Sequence, residues 1–296
     1  MRNLGKFYYK DYFGGVDFHY LLLEEDIKRE QSEDRKRALK RQLDSIKDNN
    51  ETKIKGKNRI LSDASLSTIN SIGSVQTDSF SLTIAYPGLV TGIGINHEAK
   101  IEGEFKLGVH FDYTYGMPVV YGSSVKGVLR AWFKGFYKGS IDILDLEMEI
   151  FEGTKRNISA EKIRHKEKWE EKCYCADFGK CSDKDYKSLM SNRVYEPYKS
   201  IYNRDIFFDA VITKADKKRR ILCSDSITPH GDNPLKNPTP LTFLKIAPGC
   251  TMEFRFKLVD SHIDGKSFTA AQKKVLFEEI LKTLGIGAKT NVGYGQ

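Results

Sequence analysis

The sequence predicts an α+β fold, an antiparallel sheet with helices on one face, and three observations carry that prediction. Apolar and polar residues alternate at Phe80, Leu82, Ile84 and Tyr86, again from Ile101 through Phe105, Leu107, Val109 and Phe111, and again at Met252, Phe254, Phe256 and Leu258. A period of two marks strands with one buried face. Two other stretches, 125–133 and 276–284, space their apolar residues as helices do. Strand, helix, strands and second helix in that order fit helices layered on one side of an antiparallel sheet.

From the N-terminus, an aromatic segment leads into a highly charged helix expected over 24–46, with Leu39, Leu43 and Ile46 on one side. The polar, Asn-, Lys- and Ser-rich stretch 47–76 reads as a mobile loop. The chain thus divides into an N-terminal segment, 1–76, and a core, 77–296, that carries a helical insertion at 140–203. Within the core, Pro87-Gly88 and the Gly92-x-Gly94 turn separate the first two strands, and a helix is expected over 123–136. Its apolar stripe is Val125, Val128, Leu129, Trp132 and Phe133. A strand at 206–212 is expected to turn back as a hairpin through Ile221-Leu222, with Lys214, Lys217, Lys218, Arg219 and Arg220 crowding its tip. The last helix opens on a capping box, Thr269-x-x-Gln272, buries Leu276, Ile280, Leu281 and Leu284, and stops at Gly285. No repeat of fixed period is present.

Composition narrows the partner. A chain of 296 residues, 40% of them hydrophobic, can bury a substantial core, and its formal net charge of +8 favours a polyanion. No apolar run is long enough to suggest a membrane span, and Met1–Lys6 leads into aromatic residues, not an apolar leader, so a cytoplasmic protein without a membrane partner is expected. Five cysteines argue against a disulfide framework. Cys173, Cys175 and Cys181 cluster as C-x-C-x5-C behind His165, a spacing unlike the paired knuckles of structural zinc, so reduced thiols are expected and no metal or cofactor.

The basic residues fall into three groups. Lys126, Arg130 and Lys134 recur every four residues along the side of the 123–136 helix away from its apolar stripe, and Ser123 and Ser124 leave the helix's first amides open to a phosphate. The Lys217, Lys218, Arg219 and Arg220 tip forms the second group. The third is the glycine-rich end, 285–296, where Lys289, Thr290 and Asn291 offer contacts to a phosphate and Tyr294 a ring for a base.

The Gly-Ser-Ser-Val-Lys-Gly-Val-Leu-Arg helix start at 122–130 and the Gly-Ile-Gly-Ala-Lys-Thr-Asn-Val-Gly-Tyr-Gly run at 285–295 together resemble the RAMP superfamily of CRISPR-associated proteins. The C-terminal run is most similar to the sixth-subunit branch of the Cmr (type III-B) effector complexes. Similar segments recur at 3–13, 87–94, 207–210, 228–230 and 240–244. The chain departs from the family pattern at Tyr121, where proline is usual, and at Asn291, where serine is common. The resemblance implies a ferredoxin-like, RRM-like core. It also implies a non-catalytic subunit that binds CRISPR RNA and target RNA beside other Cmr complex subunits, capping the filament near the guide's 3′ region. The alternative is a RAMP-type endoribonuclease, which needs an acid and a base. None of His19, His97, His110, His165, His230 and His262 forms a pair by spacing, His97 is the best placed, and Asp112 or Asp209 would serve only a metal-assisted route. A pure protein scaffold is the third reading.

Overall fold

The computed structural model describes residues 3–66, 78–92, 99, 101–105, 108–154, 199–228 and 240–296. Helix α1 (Leu4–Lys6) continues as a π-helical turn, Phe7–Asp11, and is followed by α2 (His19–Arg29) and α3 (Glu33–Ser62). The core holds β1 (Asp78–Thr83), β2 (His110–Phe111), β3 (Pro118–Val120), α4 (Gly122–Phe136) and α5 (Ile143–Glu147). It continues with β4 (Ile206–Phe207), β5 (Ala210–Lys214), β6 (Leu222–Ile227), β7 (Leu241–Ile246), β8 (Thr251–Lys257), β9 (Ser261–Ile263), β10 (Lys266–Phe268) and α6 (Ala270–Leu284).

The main sheet is antiparallel and ordered β1-β8-β5-β3-β2, with β4 also pairing β8. Because β4 and β5 both lie along β8, they act as one kinked strand, parallel to β1 across β8. Helix α4 lies in the crossover between β1 and that strand, and α6 carries the chain from β8 back to the far edge of β1, where Ala85 N–H donates to the Gln296 carbonyl at 2.8 Å. That order of strands and crossovers is the ferredoxin-like plan expected of the core. The two helices pack on each other, α4 on β4 and α6 on β1.

Register follows from the rings. Phe80 stands opposite Phe254, their centroids 5.6 Å apart and stacked, and Phe80 also stacks on Phe256 at 5.5 Å. A slip of one residue would turn every one of these rings to the wrong face, forfeiting about 2 kcal/mol or more for each. In β8 the alternation is as read, with Met252, Phe254 and Phe256 buried.

A second, smaller sheet pairs β6 with β7. Isolated bridges extend it, Leu89 to Ile246 and Val90 to Ala288, so the C-terminal run is stitched into it.

Five expectations change, the first being the single helix expected over 24–46, which extended backbone at Glu30 and Ser32 divides between α2 and α3. The stretch 47–62 is the second half of α3 and no loop, while 67–76 lies outside the described residues. Its polar residues dock the helix on the N-terminal segment. Asp17 N–H donates to Asn50 Oδ1 at 2.9 Å, Asn50 Nδ2 donates to Asp17 C=O at 2.7 Å, and Tyr12 Oη donates to Asn58 Oδ1 at 2.6 Å. Tertiary contacts override weak propensity there. The strand expected over 101–111 shrinks to β2, because Gly103 turns at φ +76 while Ile101, Phe105 and Val109 are still buried from a looping backbone. Tyr86 leaves the buried face of β1 and is 86% exposed. Residues 210–227 form no hairpin, since β5 belongs to the main sheet and β6 to the second. Of the stretch 140–203, expected as an insertion, α5, the π-helical turn Met148–Glu152 and the 3-10 turn Ile201–Asn203 are described.

Candidate nucleic-acid interface

The C-terminal loop begins where the capping-box helix α6 ends on Gly285. Ile286 N–H donates to Gly295 C=O at 2.8 Å, Gly295 N–H to Gly88 C=O at 2.8 Å, and Ala288 N–H to Val90 C=O at 2.7 Å. The backbone passes so close that a Cβ on Gly295, at φ +77, would lie 1.9 Å from the Ile286 oxygen, and one on Gly287 2.5 Å from the Val90 oxygen. These glycines allow the close backbone approach, and the tip, Lys289 with the 3-10 turn Thr290–Val292, is held by local backbone bonds, Val292 N–H to Lys289 C=O at 3.1 Å and Gly293 N–H to Thr290 C=O at 3.0 Å. Asn291 is exposed, and Lys289 and Thr290 are half-buried.

Tyr294 offers no face to a base. It is buried, its ring edge-on to Phe243 at 5.6 Å, and its hydroxyl donates to Asp225 Oδ2 at 2.8 Å. The Lys245 ammonium pairs with the same carboxylate and sits 5.4 Å over the Tyr294 ring. Burial pushes Tyr294 up, and the Asp225 carboxylate, which accepts its proton, pushes it further. Sequence spacing gave no sign of this triad, because its members come from β6, β7 and the C-terminus.

Helix α4 runs from Gly122, and Val125, Leu129 and Phe133 are buried as expected, whereas Trp132 is 50% exposed at the edge of the stripe. Its first amide is already taken, since Gly122 N–H donates to Asp209 Oδ1 at 2.7 Å. A carboxylate therefore holds the place expected for a phosphate, although Ser123 and Ser124 are exposed beside it. The basic face is likewise divided. Arg130 pairs with Glu152, and Lys134 with Glu147 at 3.2 Å, both acids lying on the helical segment that follows. Such exposed pairs hold only about 0–1 kcal/mol, yet they cancel two of the three positive charges. Lys126 has no partner among the described residues.

The basic turn between β5 and β6 is folded around one carboxylate. Asp216 accepts from the amides of Lys218 at 2.9 Å and Arg220 at 2.7 Å, and from Arg220 Nε at 3.1 Å and Nη2 at 2.9 Å. Burial would raise its pKa, but the Arg220 amide and guanidinium outweigh that and hold it below the ordinary carboxylate range. Arg220 is consumed by the turn, and Lys217, Lys218 and Arg219 are left exposed. Leu222 opposes Ile246, which bridges Leu89, and Val90 bridges Ala288. The basic turn and the Lys289 tip therefore hang from one small sheet, about three strand spacings of ~4.8 Å apart.

Among the histidines, His110 is half-buried with its ring stacked on Tyr121 at 4.4 Å, and burial lowers its pKa. His262 Nδ1 bonds Ser267 Oγ at 2.8 Å. His97, His165 and His230, like Cys173, Cys175 and Cys181, lie outside the described residues. Among the described residues no group of three acidic, His or Cys side chains is placed to hold a metal, and no helix is long and apolar enough to cross a membrane. Asp112 Oδ1 accepts from the Thr114 and Tyr115 amides and shapes its own turn. Sequence reasoning overlooked the tyrosines around that turn, Tyr9, Tyr113, Tyr115 and Tyr121, although aromatic density at 7–13 and 111–115 was there to be read.

Among solved structures, the chain is similar to a chain of the type III-B Cmr-beta complex bound to cognate target RNA, at 15% identity over 99% of this chain and 84% of that one, with a TM-score of 0.45. It is also similar to Cmr6 from Pyrococcus furiosus, at 18% identity over 74% of this chain and 97% of that one, with a TM-score of 0.27. Superpositions this loose leave the assignment to the sequence family. No curated protein matches the chain. The family model of the RAMP superfamily does match, over residues 72–296, which takes in α4, every described strand and the glycine-rich end. The chain belongs to the RAMP superfamily.

Proposed function

We propose that this protein is a non-catalytic RNA-binding subunit of a type III-B, Cmr-like, RNA-guided ribonucleoprotein, in contact with the guide and its target and with neighbouring subunits. The observation that carries the reading is the basic turn. Lys217, Lys218 and Arg219 stand exposed and adjacent, and the turn's one carboxylate, Asp216, is neutralised by Arg220. The backbone amides of Lys218 and Arg219 help to close the turn on Asp216, but the three solvated cationic side chains do nothing for packing. They suit phosphates, whose neutralisation releases counterions and reads no sequence. Lys289 and Lys126, with Ser123, Ser124, Thr290 and Asn291, are further candidates for phosphate contact, and the net charge of +8 agrees. The type III-B branch rests on the likeness of the 285–295 run to the sixth-subunit pattern.

The test is isolation of the tagged chain from its host. Short guide RNAs and other RAMP proteins should come with it, and Lys217→Glu/Lys218→Glu/Arg219→Glu should lose RNA in excess of protein. Recovery of neither, from a folded chain, would overturn the reading. RNA cleavage by the purified chain, abolished in His110→Ala or His97→Ala, would replace it with the endoribonuclease.

A further inference from the structure

At the far edge of the main sheet from β1, several tyrosine rings reach solvent. Tyr113 is 84% exposed and Tyr115 42%, both in the turn between the edge strand β2 and β3. Tyr9, from the N-terminal π-helical turn, is 38% exposed, and its ring lies near-parallel to that of Tyr113, at 24° with centroids 6.5 Å apart. Tyr121, at the start of α4, carries the His110 ring stacked at 4.4 Å and 18°. Burial raises the Tyr9 pKa, and the nearness of Tyr121 and Tyr113 adds to it, so the three phenols share one neighbourhood.

The turn that presents these rings is held from several sides. Asp112 Oδ1 accepts from Thr114 and Tyr115 N–H at 2.8 and 2.6 Å, Gly116 N–H donates to Asp112 C=O at 2.8 Å, and Asn3 Nδ2 donates to Tyr113 C=O at 3.4 Å. Gly116 sits at φ +65 with Asn3 so close that a Cβ would be 2.3 Å from its Oδ1. Rings on a fixed turn lose little freedom on binding, which is what a recognition surface needs. Lys6, exposed one helical turn before Tyr9, supplies positive charge, while the nearby carboxylates of Asp112 and Asp209 are turned onto backbone amides.

We propose that Tyr9, Tyr113, Tyr115 and Tyr121, with His110 and Lys6, form a base-stacking platform for unpaired RNA, distinct from the phosphate-binding turn and C-terminal tip. Bases stack on aromatic side chains whatever their identity, and an adjacent cation tracks the backbone. The platform rests on the RNA-binding reading above and adds to it a surface that reads bases by their faces.

The experiment compares a labelled oligouridine with an abasic oligomer of the same length, binding to the full-length chain. Tyr113→Ala/Tyr115→Ala should weaken oligouridine binding by about five- to 150-fold per stacked base lost and leave the abasic oligomer unaffected. Tyr113→Phe/Tyr115→Phe, which keeps the rings, should bind as wild type. An alanine variant that melts and binds oligouridine like wild type overturns the platform, and if the basic-turn charge reversal still loses RNA, the functional reading stands without it. If the wild type binds neither oligomer, both fall. Loss of a co-purifying protein with RNA affinity intact would make the patch a protein dock and likewise overturn the proposal.

Discussion

Replacing Lys273 by methionine should unfold this protein sooner than any surface change, because of what the lysine leaves behind. Its side chain in α6 is 0% exposed and that of its partner Asp205 1%. Lys273 Nζ donates to Asp205 Oδ2 at 2.7 Å and to the Val259 carbonyl at 2.7 Å, while Val259 N–H donates to Asp205 Oδ1 at 2.9 Å. Methionine fills the volume but strands a buried carboxylate and a carbonyl. Breaking one side of such a pair costs about 3–5 kcal/mol, or a fall in Tm of roughly 6–15 °C. Urea or thermal unfolding at neutral pH measures it.

The pKa directions sharpen that prediction. Burial raises Asp205 even though Lys273 opposes it, and burial lowers Lys273 even though Asp205 opposes it. A raised carboxyl contributes stability that is present below its ordinary pKa and lost as pH rises through the folded value. A lowered ammonium contributes stability that is present above its ordinary pKa and lost as pH falls through the folded value. At neutral pH the ionised pair therefore recovers neither contribution. Lys273→Met/Asp205→Asn, which keeps an acceptor for Val259 N–H and offers the amide Nδ2 as a donor in place of the ammonium, should recover the loss and match wild type or exceed it. Acidification toward the carboxylate range should narrow that gap. A single variant that loses less than about 1 kcal/mol, or a double variant as weak as the single, would refute the reasoning.

Other substitutions separate packing from binding. Tyr294→Phe removes the hydrogen bond to Asp225 and should cost about 1.5–3 kcal/mol in urea unfolding with RNA affinity unchanged. Burial would raise Asp225, but hydrogen bonds from Lys245 and Tyr294 outweigh it and hold the carboxyl low, so the stability it contributes is present above its ordinary pKa and falls away below it, and the Tyr294→Phe deficit should shrink there. Gly295→Ala should cost at least about 2 kcal/mol from the left-handed backbone and the clash with Ile286, whereas Gly127→Ala, in open space on α4, should gain up to about 1 kcal/mol. Arg130→Ala should change RNA affinity less than Lys217→Ala, in the same filter-binding assay, because Glu152 already answers the Arg130 charge.

How legible all this was in the sequence depends on whether a residue's partner is near in the chain. Helix α6 was readable from Thr269 to Gly285 since cap, stripe and stop are local, and β8 because its alternation is clean. The buried part of α4 was readable for the same reason. Its basic face was misjudged because Glu147 and Glu152 sit beyond the helix end and fold back on it. The second half of α3 was hidden because Asn50 and Asn58 look like loop residues until Asp17 and Tyr12 are brought against them. Tyr294 looked available because its glycine-rich surroundings suggest an open loop, while Asp225 and Phe243, which bury it, arrive from the second sheet.

The central claim, that the basic turn tracks an RNA backbone, is tested most directly by a salt series. The affinity of the purified chain for two unrelated single-stranded RNAs would be measured across ionic strength, for wild type and for Lys217→Glu/Lys218→Glu/Arg219→Glu. Each phosphate contact adds about 0.7 to the slope of log affinity against log salt, so losing up to three should flatten it by as much as ~2 and weaken both sequences alike. An unchanged slope, or a loss confined to one sequence, would contradict the account.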